Sequence, residues 1–187
     1  TNAVTGVIFV QEVPEEAQKS YKAAIASLED KKIETGISEL QNALAVFPDY
    51  YLALERLGIE LIKQQEYQDA QDVYNRAVTV NPRSYNGWYG LSYANYGLKQ
   101  SEKAVEAAEK AVSLNSTSVD ALLMLGISQR QAKSYDSAEK TLKQANKLAK
   151  GKTSDVHWNL ALLYAHNLKR YKAAADALEL YLKTQPN

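Results

Sequence analysis

The chain has no cysteine, which excludes disulfides, thiolate zinc sites and a cysteine nucleophile. It lacks an excess of either charge. Its 22 Lys and Arg are matched by 22 Asp and Glu, so no net field steers it toward nucleic acid or an acidic membrane. There is no run of 18 apolar residues, hence no spanning helix and no direct membrane insertion. Val7 to Val10 is too short for the apolar region of a signal peptide. The eight glycines are scattered singly, with no phosphate-cradling loop among them. Only two histidines occur, His157 and His166; nine residues apart on a helix, they face opposite sides and cannot share a metal. No acidic cluster with ligand spacing accompanies them, and nothing sets a Ser, His and Asp in register as nucleophile and base. These absences predict a chain that is not an enzyme and holds no cofactor and no metal.

Phenylalanine is scarce too, two residues against thirteen tyrosines. Tyrosine joins a large apolar body to a polar tip, which suits surfaces that are partly wet. Tyrosines can also stack nucleobases, but such readers need a basic track, and the central tyrosine run has only Arg83 and Lys99 at its ends. No nucleic-acid partner is predicted.

What is abundant is repetition. Ala43, Ala77, Ala111 and Ala145 recur 34 residues apart, as do Ala23, Leu57, Leu91 and Leu125. Gly36, Ala70, Ala104 and Ala138 form a third series, and Ile25, Ile59, Tyr93 and Ile127 a fourth. A fixed period of this length marks stacked supersecondary units, each unable to bury its apolar face alone. Helical periodicity runs from Glu15 onward, broken at Asp30–Lys32, Pro48-Asp49, Gln64–Glu66, Asn81-Pro82, Lys99-Gln100, Asn115-Ser116, Lys133-Ser134 and Lys150–Lys152. Pro48 and Pro82 stop helices, and Thr117 followed by Asp120 reads as a capping box. The prediction is an all-α chain of ten helices in five antiparallel pairs. Ahead of it, residues 1–14 read as an extension: Thr1-Asn2-Ala3 as a cloning scar, then a strand-like segment over 7–13 ending at Pro14. That segment is either the tail of an upstream β-domain or packs along the first helices.

Leu54, Leu57-Gly58 and Leu61, followed by Ala70, Tyr74, Ala77 and Pro82, resemble the tetratricopeptide repeat signature. The pattern returns in Trp88, Leu91, Ala104, Ala108 and Ala111, and in Leu122, Leu125-Gly126, Ala138, Leu142 and Ala145. Earlier it is carried by Gly36, Leu40, Ala43 and Pro48, and last by Leu160, Tyr164, Ala174, Leu178, Tyr181 and Pro186. This fifth unit needs one extra residue in the connection before it and one inside its own turn. The resemblance covers residues 15–187 and implies a superhelical solenoid of five tandem repeats. In the core reading, mid-helix Gly58 and Gly126 sit where another helix backbone comes close, facing the small residues Ala70, Ala104, Ala138 and Ala174.

The resemblance also implies that the first helix of each pair lines a concave groove that takes a peptide. The apolar line on those helices runs through Tyr21, Ile25 and Leu28, then Ile59 and Ile62, then Tyr89, Tyr93 and Tyr96, then Leu123 and Ile127, then Trp158 and Leu162. Ile25, Ile59 and Ile127 read as core, whereas three stacked tyrosines carry hydroxyls that a dry core rarely satisfies. The candidate groove residues are therefore Tyr21, Tyr89, Tyr93, Tyr96, Leu123, Arg130 and Trp158, with Arg130 and Lys63 placed to meet an acidic residue of a ligand. Co-chaperone members of the family clamp a peptide carboxylate with Asn at positions that here hold Ile25, Ile59, Tyr93, Ile127 and Leu162, so a chaperone-tail ligand is not implied.

The predicted role is a non-catalytic adaptor or scaffold that binds a protein or peptide. The alternative is a structural or self-associating module of a larger multidomain bacterial protein. An apolar end around Ala175, Leu180 and Tyr181 marks a homodimer through the C-terminal repeat as one form of it. A third class, the non-catalytic arm of an enzyme, requires an upstream domain. A β-segment followed by helical repeats resembles some bacterial envelope proteins, which leans toward the periplasm or cell envelope, with the cytoplasm as the other compartment.

Overall fold

The computed structural model describes residues 11–184. Among them there are ten α-helices and no strand. They are α1 (Glu15–Glu29), α2 (Ile33–Val46), α3 (Tyr51–Lys63), α4 (Tyr67–Val80) and α5 (Tyr85–Gly97). There follow α6 (Ser101–Leu114), α7 (Val119–Gln131), α8 (Tyr135–Leu148), α9 (Ser154–Leu162) and α10 (Tyr171–Thr184). The most extensive helix contacts are α1 with α2, α3 with α4, α5 with α6, α7 with α8 and α9 with α10, which gives the five expected pairs. Each even helix also packs on the next odd one, and the buried apolar residues form an N-terminal core from Ala17 to Ala107 and a C-terminal core from Leu122 to Ala177.

Local sequence explains the helices. In α8, Ala138, Thr141, Leu142 and Ala145 are buried at i, i+3, i+4 and i+7, and the charged residues Asp136, Glu139, Lys140, Lys143 and Lys147 fall at other positions. The link inside every pair is three residues long, which forces antiparallel neighbours. Its middle residue has positive φ each time: Lys31, Gln65, Lys99, Lys133 and Lys169, at 57–63°. Left-handed backbone costs a residue with a Cβ about 1–2 kcal/mol, so the surrounding helix contacts hold these turns against local preference. Between pairs, Ser84 and Ser118 cap α5 and α7 by accepting from the amides of Gly87 and Ala121. Tyr51 and Tyr85, which open α3 and α5, reach one repeat forward to those same serine hydroxyls. The cap of α7 is therefore Ser118, not Thr117, whose hydroxyl instead bonds Asn115 Oδ1 at 3.1 Å.

The two extra residues of the fifth repeat are accounted for. One enlarges the α8–α9 link, where Lys150 and Gly151 both take positive φ. The other is not in the turn, which keeps its three residues. It sits inside the helix, as a π-turn from Leu163 to Asn167 continuing α9.

Four details differ from the sequence expectation. Of the strand-like segment, residues 7–10 lie outside the described residues, as does Pro186 of the last repeat signature. Residues 11–13 have no regular secondary structure. There the Gln11 side chain joins the start of α3, donating to the Asp49 carbonyl at 2.5 Å and accepting from the Tyr51 amide at 2.8 Å, and Val13 packs on the core. Ala23, aligned with buried Leu57, Leu91 and Leu125, is exposed. Leu57 and Leu91 face α2 and α4 of the preceding repeat, and α1 has none before it among the described residues. Ile25, Ile59 and Ile127 are half-buried rather than core. Finally, what comes close to Gly58 is a side chain, not a helix backbone: a Cβ there would sit 2.6 Å from Cζ of Tyr74.

Candidate functional site

The odd helices α3, α5, α7 and α9 touch one another in succession, whereas among the described residues consecutive even helices make no comparable contact. The odd row is thus the tighter, inner wall and the even row is splayed outside it. Side chains that point from the odd helices away from their partners form the concave face.

A cavity of about 440 Å³ opens on that face between α3 and α5. Ile59 and Ile62 line one side and Tyr89 and Tyr93 the other, with Glu55, Lys63 and Asn86 at the margin. Its floor is Tyr74, contributed by α4 from the outer row and only 2% exposed. The ring reaches the inner face because Gly58 on α3 and Gly90 on α5 carry no side chain in its path. The Tyr74 hydroxyl has no hydrogen-bond partner among the described residues, and burial raises its pKa, helped by the nearby Glu55. Tyr89 is pushed up to about 12, first by burial and then by the Asp120 carboxylate. Both rings are neutral donors and apolar walls at any ordinary pH.

The charges around the cavity are partly committed. Glu55 accepts from Asn86 at 2.7 Å. Lys63 lies 3.0 Å from Glu60, which is 1% exposed and also receives Arg56 at 3.1 Å. Lys63 is thereby held by its own helix, which weakens its role as a ligand cation. Arg130 differs: it has no ion pair among the described residues, and its half-buried guanidinium keeps Nε without a partner.

The sequence-derived residues fall into three environments. Tyr89 and Tyr93 meet at the cavity, Tyr93 being 40% exposed. Tyr96 and Arg130 occupy matching positions one repeat apart and are half-buried. Tyr21 packs on the N-terminal core with its ring 5.2 Å from Tyr50, and Leu123 packs on the C-terminal core. Trp158 is 42% exposed, with its ring 5.2 Å from Tyr181 of α10. Sequence reasoning missed Glu55, Asn86 and above all Tyr74, which belongs to an outer helix. The signal was present in Gly58 and Gly90, two mid-helix glycines flanking one tyrosine column.

No group of three or more His, Asp or Glu among the described residues has an arrangement fit for a metal. His157 is buried, its Nε2 3.0 Å from the Gly151 carbonyl at the enlarged link, which is a structural placement. No helix among the described residues is long and apolar enough to cross a membrane.

An open, grooved solenoid of helix pairs is the architecture of a protein–protein interaction module. A tetratricopeptide repeat model matches residues 55–119, 96–153 and 123–187, and the chain belongs to the tetratricopeptide repeat family. It is 25% identical over 147 residues to anaphase-promoting complex subunit 3 of Schizosaccharomyces pombe, covering 73% of this chain and 22% of that protein. It is 28% identical over 161 residues to the peroxisomal targeting signal receptor of Kluyveromyces lactis, covering 83% and 28%. The chain spans from a tenth to just over a quarter of the curated relatives it matches. Among solved structures, MamA from Desulfovibrio magneticus RS-1 superposes with a TM-score of 0.83 at 17% identity, over 92% of this chain and 96% of that one. YrrB, described as a TPR protein with an unusual peptide-binding site, superposes with a TM-score of 0.75 at 20% identity, over 92% and 88%.

Proposed function

We propose that this chain is a non-catalytic adaptor that holds a peptide segment of another protein along its concave face. The carrying observation is the cavity between α3 and α5, walled by Ile59, Tyr89 and exposed Tyr93 and floored by Tyr74. It is large enough for one apolar side chain, and the Tyr74 hydroxyl and Asn86 offer donors to a backbone carbonyl beside it. Half-buried Arg130, one helix further along, is positioned for an acidic residue of the same segment, with Tyr96 beside its path and Trp158 beyond. A peptide ligand is supported by the similarity in sequence to a peroxisomal targeting signal receptor and in fold to a TPR protein with a peptide-binding site. The test is to select binders from a random peptide library on the wild-type chain and measure them by calorimetry. Selected peptides should share an apolar anchor and lose affinity at least tenfold on Tyr93→Ala. Peptides that bind Tyr93→Ala and Arg130→Gln as tightly as wild type would remove the groove from the reading.

A second reading is self-association through the last repeat. On α10, Tyr171, Leu178 and Leu182 are 67%, 39% and 71% exposed and share one face at i, i+7 and i+11, while Leu180 is 44% exposed on another side. An apolar row of this kind favours a second copy or a further protein surface over water.

A further inference from the structure

The outer face carries an opening as large as the one in the groove. Between α2 and α4, over the end of α3, a cleft of about 440 Å³ has an apolar floor of Ile37, Leu57, Leu61 and Val73. Four carboxylates edge it: Glu34, Glu66, Asp69 and Asp72. None of the four makes an ion pair among the described residues. Helix α2 contains no Lys or Arg at all. Of the cations nearby in sequence, Lys32 lies 3.1 Å from Asp30, Lys63 is held by Glu60, and Arg76 donates to the Pro48 carbonyl at 2.6 Å.

Two structural explanations fall short. Glu34 and Asp69 stand in first turns and Glu66 at an N-cap, where the helix dipole favours negative charge. Two helix ends supply together about one positive charge, against four carboxylates. Repeat packing does not require the arrangement either. One period of 34 residues on, the rim becomes Gln68, Gln100, Lys103 and Glu106, with no net charge. The floor becomes Gln71, Leu91, Asn95 and Ala107, where Gln71 bonds Asn95 and Gln100, and the opening there is smaller, about 270 Å³, and more polar. The acidic, apolar-floored cleft is therefore specific to the first two repeats.

We propose that this cleft docks a cationic amphipathic segment of a partner protein, distinct from the ligand of the concave groove. An aliphatic side chain of that segment covers the floor, and its Lys or Arg residues reach the carboxylates while their stems stay on the apolar surface. A chain with no net charge has little general attraction for cations, so binding of such a segment reports this local field.

The experiment titrates the chain into a fluorescein-labelled twelve-residue peptide of alternating Lys and Leu, followed by anisotropy. Saturable binding is expected, weakened by salt and at least tenfold weaker in Asp69→Asn with Asp72→Asn. A second pair, Glu34→Gln with Glu66→Gln, should weaken it similarly, which guards against a folding artefact in either. The same charge change two helices away, Glu102→Gln with Glu109→Gln, should leave it intact. Ile37→Gln should weaken it several-fold, and a Lys–Ser peptide should bind far less than the Lys–Leu one. Amide shift changes on titration should gather on α2 and α4. Equal loss from the distant pair, equal binding of the Lys–Ser peptide, or shift changes gathered on α5 and α7 would each overturn the proposal.

Discussion

The ring of Tyr74 lies where the Cβ of any other residue at position 90 would have to be, and Gly58 makes the same allowance on the opposite side, at 2.6 Å. One outer-helix tyrosine thus passes between two inner helices and becomes the floor of the groove cavity. The relationship joins packing to function: the glycines that admit the ring also set the depth of the cavity.

Gly90→Ala should therefore destabilise the chain although alanine is the better helix former. Relief of mid-helix glycine contributes about 1 kcal/mol. Overpacking against a ring that cannot retreat costs about 1–3 kcal/mol and wins. In a Tyr74→Leu background the same change should become neutral or stabilising. Urea unfolding of the four proteins of this cycle gives the answer, and an equal loss in both backgrounds would disconnect the two residues.

The three groove tyrosines should separate by burial. Tyr93→Ala, the most exposed, should cost affinity for a groove peptide by about 1–2 kcal/mol or more and leave the melting temperature near wild type. Tyr89→Ala and Tyr96→Ala remove half-buried rings and should lower both, yet by less than the 3–5 kcal/mol typical of a fully buried aromatic. Severe unfolding by all three single changes would put the row in the core.

Alkaline sensitivity should exceed that of an average helical protein. Burial raises the hydroxyl pKa of Tyr74, Tyr51, Tyr89, Tyr21, Tyr50 and Tyr164 above the ordinary 10, with Tyr89 at about 12. The unfolded chain then releases its protons at lower pH than the folded one. Stability is complete below pH 10 and falls as pH rises from 10 through 12. Denaturation at successive pH values should show that slope, and Tyr74→Phe should make it shallower.

At the C-terminal end, sedimentation velocity over a concentration series tests self-association. If α10 is a docking face, the mass should rise with concentration and Leu182→Lys should return it to monomer. A wild-type chain that stays monomeric at high concentration removes the homodimer.

The positive-φ turns offer a gain in stability. Lys99→Gly and Lys133→Gly should each raise stability by about 0.5–1 kcal/mol, because glycine accepts the left-handed backbone without the Cβ penalty. A melting temperature lowered by both would show that these lysines have contacts outweighing the backbone cost.

The fold was legible in the pattern of residues along the chain. Ala77, Ala111 and Ala145 at a period of 34, Leu57, Leu91 and Leu125 at the same period on the partner helices and the prolines after α2 and α4 state which faces must be buried, and stacking buries them. The pattern also singled out Tyr89, Tyr93 and Arg130 on the inner helices, since spacings of three and four need no tertiary information. Tertiary structure alone decided the rest. That Tyr74 reaches the groove depends on two glycines, 32 residues apart, coming to face one ring. That the last repeat accommodates its second added residue by a π-turn, with its loop unchanged, depends on how α9 must meet α8 and α10. That Tyr21 packs against the N-terminal core, with the Tyr50 ring beside it, is a contact between repeats that no single-helix pattern encodes. Helical periodicity fixes which residues share a face; which face meets water is settled only when the neighbouring helices are in place.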